Sequence, residues 1–440
     1  SRIEITTRGC LEPIDVREVR VRLAGTTRLD DLAAVELLRP DGARFGKRQK
    51  PAGTVVFRDR MPLGMGANAL TASVVLAEDA NVDHVVRARC DRVRFANGRS
   101  VEPAPLSGPE AQRCGVALRR AGDDGAAVYR IPAIATTKAG TLIAVYDVRW
   151  KGWGDLPGDV DVGMSRSADG GRTWAPMQVI LDMGDDPEFL HDGVGDPAIL
   201  VDRETGTIWV AATWSHGNRA WRGSGPGLEP TETGQLVLVR SDDDGLTWSK
   251  PINITKQVKR PAWCYLLQGP GSGVCMGDGT LVFAAQFQDT PENGRKPHAT
   301  ILYSRDHGET WKLGTPVRSN TTEAQVVELD DGVLMINMRD NRGGARSVYT
   351  SSDLGRTWVE HPTSRRALVE PVCNAALVRS GERTLLFVNP AVAEAPRRHM
   401  TIKASVDLGM TWPEGMQLLL DEGRSAGYAS ATMIDEEYVG

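Results

Sequence analysis

Hydrophobic positions alternate with charged ones from the first strand-like run onward. Val19, Val21 and Leu23 are separated by Arg20 and Arg22. Val86, Ala88 and Cys90 alternate with Arg87 and Arg89, and Val93 and Phe95 follow. A period of two puts one set of side chains on a buried face and the other in water, which predicts half-buried antiparallel strands. Turn signals such as Pro40-Asp41-Gly42 separate them. Residues 1–105 therefore predict a small β-sandwich, serving either as a packing module or as a carbohydrate-binding one. A Pro-rich polar stretch follows and predicts a linker at 106–112. A second domain is expected over 113–440.

The second domain repeats. Ser167-Ala168-Asp169-Gly170-Gly171-Arg172-Thr173-Trp174 has the form S-x-D-x-G-x-T-W, and the form recurs from Ser241, Ser304, Ser351 and Ser405. The copies end at Trp248, Trp311, Trp358 and Trp412, with starts 74, 63, 47 and 54 residues apart. Each reads as a tight turn. Asp accepts backbone N–H bonds, Gly supplies a permissive φ, and Trp packs beneath. Short apolar runs flank every copy, for example 207–212, 235–240, 280–285 and 332–337. Recurrence near 50 residues means a repeat architecture. Radial repetition of small sheets predicts a β-propeller, which leaves few exposed edges. The boxes are structural in this reading.

Composition narrows the functional classes. The 440 residues are 41% hydrophobic and 25% charged, an ordinary globular balance. The formal net charge of −5 argues against a nucleic-acid partner, whose affinity depends on a basic face. No run approaches about 20 unbroken apolar residues, so no membrane-spanning helix is expected. The cysteines are Cys10, Cys90, Cys114, Cys264, Cys275 and Cys373. They form no CxxC pair and have no zinc-ligand spacing. Most read as buried thiols, with a Cys10–Cys90 bridge open as an alternative.

Tyr129-Arg130-Ile131-Pro132 starts the first apolar run of the repeat region. A guanidinium at that place either pairs with a protein carboxylate or faces a cavity awaiting an anionic ligand. Together with the five boxes, this motif resembles the sialidase superfamily, specifically the bacterial exo-α-sialidases of glycoside hydrolase family 33. The resemblance covers about 113–440. It implies a six-bladed β-propeller that hydrolyses terminal α-ketosidic sialic acids from glycoproteins, glycolipids and oligosaccharides. The implied mechanism retains configuration through a sialyl-tyrosine and uses no cofactor or metal. A secreted or periplasmic monomer acting on sialylated glycans is expected. The alternatives are a trans-sialidase or intramolecular trans-sialidase on the same scaffold, and a non-enzymatic sialic-acid-binding propeller.

Residue by residue, the resemblance implies a carboxylate-binding triad of Arg130, Arg339 and Arg397, with Arg398 the alternate for the third. An arginine fork matches a carboxylate bidentately and stays charged. Asp155, in the Gly/Pro loop Trp153-Gly154-Asp155-Leu156-Pro157-Gly158, is the expected acid/base, with Asp159 and Asp161 as competitors. Closure of that loop would desolvate its carboxyl. Tyr428 is the expected nucleophile and Glu323 its base, with Glu328 the competing carboxylate. The family often has Ser after this Tyr, whereas Ala429 stands here. Arg149 and Asp196 are expected to hold the C4 hydroxyl, and Gln268 to reach the glycerol tail. The segment Trp214–Gly234, with His216 and Trp221, is either an aglycone wall or a surface loop. The resemblance also implies a closing strand beyond Met433–Gly440.

Overall fold

The alternating runs become strands. Asp15–Arg22 turns Val16, Val19 and Val21 inward and leaves Arg17 and Arg22 in water. The computed structural model describes residues 2–7, 14–77, 80–81, 84–104, 112–113, 115–184 and 192–440. The chain is all-β and divides into two compact units, Ser1–Ala117 and Leu118–Gly440. The predicted linker lies outside the described residues except for Gln112, which begins the short strand Gln112–Arg113. Cys90 carries a free thiol, and its suggested partner Cys10 lies outside the described residues.

In the first unit, Thr54–Pro62, Asp15–Arg22, Arg89–Phe95 and Ser100–Val101 form one sheet in that order. Arg2–Thr7, Gly66–Leu76 and Leu32–Leu38 form another. Val19, Val21, Phe57 and Val93 of the first meet Val35, Leu37, Leu70 and Ala72 of the second in one buried cluster.

In the second unit, Val128–Thr136, Leu142–Arg149, Val160–Ser167 and Gln178–Leu181 form an antiparallel meander. Four further sheets of four or five strands follow along residues 192–424. Each of the five boxes joins the third strand of its meander to the outermost one, as Ser167 and Ser241 do at the ends of Val160–Ser167 and Gln235–Ser241. The turn is one structure made five times. The Asp accepts from the Thr backbone N–H at 2.8–2.9 Å and from the Thr hydroxyl, while the Ser oxygen accepts a Gly N–H. The buried Trp311 packs edge-on against Trp209 of the preceding sheet.

Each sheet packs face to face on the next. Val145 and Val162 meet Ile199, Val210 and Val237. Leu200 and Leu236 meet Phe283 and Leu302, and Val282 and Ile301 meet Val326 and Ile336. This succession is that of propeller-type folds. The second unit then closes on its own first sheet. Ser430 and Thr432 accept from the backbone N–H groups of Ile134 and Thr136 at 3.0 and 3.1 Å, setting the segment around Tyr428 beside the strand that carries Arg130.

Candidate active site

Three first strands break their ladders where they carry candidate residues. The pairing register shifts between Arg130 and Ala133, between Gly195 and Ala198, and between Thr321 and Ala324. Each break is a bulge, which bends a strand and re-aims side chains. Ile131 and Asp196 sit in these bulges at φ 54 and 57, and Asn320 precedes the third at 58. A β-branched Ile at positive φ is a steric outlier costing on the order of 1–3 kcal/mol, which the buried setting of Ile131 must offset. Tyr428 itself is at φ 62, following Gly427 at φ 76. A Cβ on Gly427 would collide with the buried Cys373 sulfur, so this approach to Tyr428 needs glycine.

The bulges and the returning segment bring the three arginines to one phenol. The Arg130 and Arg397 guanidinium carbons lie 5.8 and 5.5 Å from the centre of the Tyr428 ring. Arg339 donates from Nη1 to the Tyr428 oxygen at 3.2 Å and to Glu323 Oε2 at 2.6 Å. The Tyr428 hydroxyl donates to Glu323 Oε1 at 2.5 Å. Arg397 is held by the carbonyls of Ala426 and Val372, whereas Arg398 is exposed and paired in the strand ladder opposite Arg424. The third arginine at the phenol is therefore Arg397. Among the described residues the buried Arg339 Nε has no hydrogen-bond partner, so part of its fork is uncommitted.

These contacts set the proton positions. Burial, then the neighbouring Glu323 charge, pushes the Tyr428 phenol well above its usual range, with Arg339 pulling the other way. The phenol is thus held neutral. Burial works to lower the Arg339 value, but the Glu323 charge and its hydrogen bond overcome it and keep that guanidinium charged.

Asp155 faces the same group. Its Oδ1 accepts from Arg130 at 3.0 Å and Arg149 at 2.8 Å, yet its side chain is 72% exposed. The desolvation expected of that loop is therefore missing in this arrangement. Arg149, almost fully buried, also donates to the carbonyls of Trp153 and Gly154 and so ties down the loop. The competitors point elsewhere. Asp159 pairs with Lys151, and Asp161 accepts from the Trp150 indole. Glu328 accepts the Gly277 N–H on the far end of its strand.

Asp196 and Gln268 separate in role. Gln268 is fully buried; its amide accepts from Thr213 at 3.0 Å and donates to the Asp196 carbonyl. The sequence reading gives it a ligand's glycerol tail; here its amide is committed inside the protein and fixes the Asp196 backbone. The Asp196 carboxyl is raised well above the usual range by burial, then by the charges of Asp147, Glu323 and Asp155. Asp147 is the residue that sequence reading passed over. It pairs with Arg149 at 2.8 Å and accepts the Asp196 N–H at 2.8 Å. The signal was present, since Asp147 and Arg149 are two apart on one strand and share a face. In the 214–234 segment, the Trp221 carbonyl is gripped by Arg295 and Gln288, and its ring stands edge-on to Tyr265. Trp221 remains 38% exposed.

The family model described as a BNR repeat-like domain matches residues 140–440. A sialidase of Bacteroides fragilis is 46% identical over 402 residues, covering 89% of this chain and 73% of that protein. A sialidase of Micromonospora viridifaciens is 36% identical over 305 residues, covering 66% of this chain and 46% of its own length. Among solved structures, a Hadza microbial sialidase aligns with TM-score 0.74 at 46% identity, covering all of this chain and 92% of that one. The Trypanosoma rangeli sialidase aligns with TM-score 0.59 at 22% identity, covering 70% and 51%, a likeness of fold.

Proposed function

The chain belongs to the bacterial sialidases, and from that premise we propose that it releases terminal sialic acids through a covalent sialyl-tyrosine with net retention. The observation that carries this reading is the hydrogen bond of 2.5 Å from a neutral Tyr428 to Glu323, beneath three converging guanidinium groups. Arg130, Arg339 and Arg397 would take the substrate carboxylate. That carboxylate sits on the carbon to be attacked. A carboxylate nucleophile there would be repelled by about 4 kcal/mol at 4 Å with an effective dielectric of 20. A phenol avoids the repulsion, and sialidases are the known exception that uses one. Glu323 removes its proton as the oxygen attacks C2. Asp155 protonates the leaving glycosidic oxygen, then activates the water that releases the product. Bound substrate would cover the exposed Asp155 and draw Arg130 from it to the ligand carboxylate. Arg149 and Asp196 would hold the C4 hydroxyl. The scheme uses no metal or organic cofactor.

The same reading covers architecture and setting. The second unit is taken as a six-bladed propeller, with the hairpin of residues 432–440, where Thr432 and Gly440 exchange backbone hydrogen bonds, as part of its sixth sheet. The first unit is taken as a β-sandwich, and the enzyme as a secreted or periplasmic monomer. A fluorinated sialosyl donor that slows release of the intermediate tests the mechanism. Peptide mass mapping is expected to find the sugar on Tyr428, and Tyr428→Phe to lower turnover of a fluorogenic sialoside by at least about 10³-fold, or about 4 kcal/mol of barrier. A label on another residue, or turnover retained in the variant, overturns the scheme.

A further inference from the structure

The first unit carries a charge pattern that its own packing does not use. On the outer face of the sheet containing Asp15–Arg22, directly opposed residues form three rungs. Arg58, Glu18 and Arg94 make the first rung. Arg20 and Arg92 face each other on the second, and Arg22 and Arg89 on the third. Opposed residues share a face, with Cβ atoms about 4.5–5.5 Å apart, and like charges so placed repel. Two of the three rungs are Arg against Arg.

The compensation is thin. Glu18 pairs with Arg58 at 2.8 Å. Asp91 lies within 3.2 Å of Arg22 and 3.9 Å of Arg20. Glu102, at the rim, reaches Arg92 at 3.4 Å. Arg89 and Arg94 are exposed and have no anionic partner among the described residues. Six guanidinium groups thus occupy a patch of roughly 10 by 13 Å, from the strand spacing and the two-residue repeat. The patch departs from the charge of the rest of the chain. Residues 1–117 hold 19 Lys and Arg against 15 Asp and Glu, a net of +4, so residues 118–440 carry −9 of the total −5.

We infer that this arginine face binds an anionic glycan chain, holding multiply charged substrate to a protein whose catalytic unit would otherwise repel it. The choice of a glycan over other polyanions rests on the exo-sialidase reading, because sialylated chains carry repeated carboxylates. Arginine suits that ligand, since each fork takes a carboxylate or a sulfate through two parallel N–H bonds. Several such contacts on one face raise the effective concentration of a chain's remaining ends at the catalytic unit. The ligand is a polysaccharide bearing repeated sialic-acid carboxylates.

The test uses the full chain carrying Tyr428→Phe, so that bound chains are not cleaved. Polysialic acid, chondroitin sulfate and a DNA duplex of matched charge are titrated separately by calorimetry at low and 0.5 M NaCl. Binding of polysialic acid is expected, weakened at least tenfold by Arg89→Gln, Arg92→Gln and Arg94→Gln together. Salt should have a similar effect. Binding of chondroitin sulfate without binding of polysialic acid overturns the inference, since that chain carries no sialic acid. The corresponding triple Lys variant should lose less affinity than the Gln variant, because it keeps the charge and loses only the fork, and this separates loss of charge from loss of fold. Unchanged glycan affinity in the Gln variant, or tighter binding to DNA than to either glycan, overturns the inference. With Tyr428 intact, the Gln variant should hydrolyse a small fluorogenic sialoside at the unmodified rate. Failure of the unmodified protein to hydrolyse it would strike the catalytic reading alone, since the titrations do not depend on turnover.

Discussion

Individual side chains here carry conflicting demands, and Asp196 shows the conflict most clearly. Its bulge position at φ 57 aims it into a group that already holds Asp147, Glu323 and Asp155. Burial and those three charges penalise its ionised form. Its folded value lies above the unfolded one, so the folded state keeps a proton that the unfolded state releases. Stability therefore falls as pH rises from the ordinary carboxylate range through the raised folded value. Asp196→Asn removes the charge and keeps a residue tolerant of positive φ. The expected result is a Tm gain of roughly 1–3 °C at pH 7, as about 1 kcal/mol would give at this size, shrinking toward pH 4. KM for a sialoside should rise roughly tenfold with the loss of one hydrogen bond to substrate. A Tm difference that is the same at both pH values would show that charge crowding is not its cause.

At the scale of elements, the boxes and the bulges differ in how far sequence reveals them. A box is local. Ser, Asp, Gly, Thr and Trp lie within eight residues, so the turn and its bonds were legible from spacing alone. The Arg-Ile-Pro motif was legible as a motif, but the positive φ of Ile131 was not, because a β-branched residue argues against it. The bulge depends on strand pairing with Leu142–Arg149, which is a tertiary fact. The partners of Gln268 were not legible for the same reason, since only the approach of Asp196 and Thr213 shows its amide to be committed. The boxes also yield a pH prediction. Hydrogen bonds from the hydroxyl and then the backbone of Thr173 hold Asp169 down to about 2, and those of Thr247 do the same to Asp243. For Asp353 the Thr357 backbone leads, again to about 2. These depressed values add stability above the unfolded range near 4, which is lost as pH falls toward 2. Asp243→Asn should lower Tm at pH 6 and flatten its decline between pH 4 and 2, with sialoside turnover kept at pH 6. An unchanged slope would remove the box carboxylate from the acid transition.

The whole molecule is two separately cored units, and that predicts how it unfolds. Among the described residues, Phe57, Val19 and Leu70 lie in a cluster drawn from residues 3–95, whereas the other buried clusters begin at Leu118 or later. Cooperativity follows shared buried surface, so each core should melt as its own unit. Calorimetry of the full chain should resolve two transitions. The fully buried Phe57 gives the means to assign them. Phe57→Ala removes an aromatic ring from the smaller core at a cost of about 3–5 kcal/mol, enough to move that transition by more than 10 °C or abolish it. The other transition should stay within a degree, and turnover of a small sialoside should hold, because every residue assigned to the chemistry lies between 130 and 428. If both transitions move together, the units share a cooperative interface, and the separation of charge between them would have to be weighed as a property of one body.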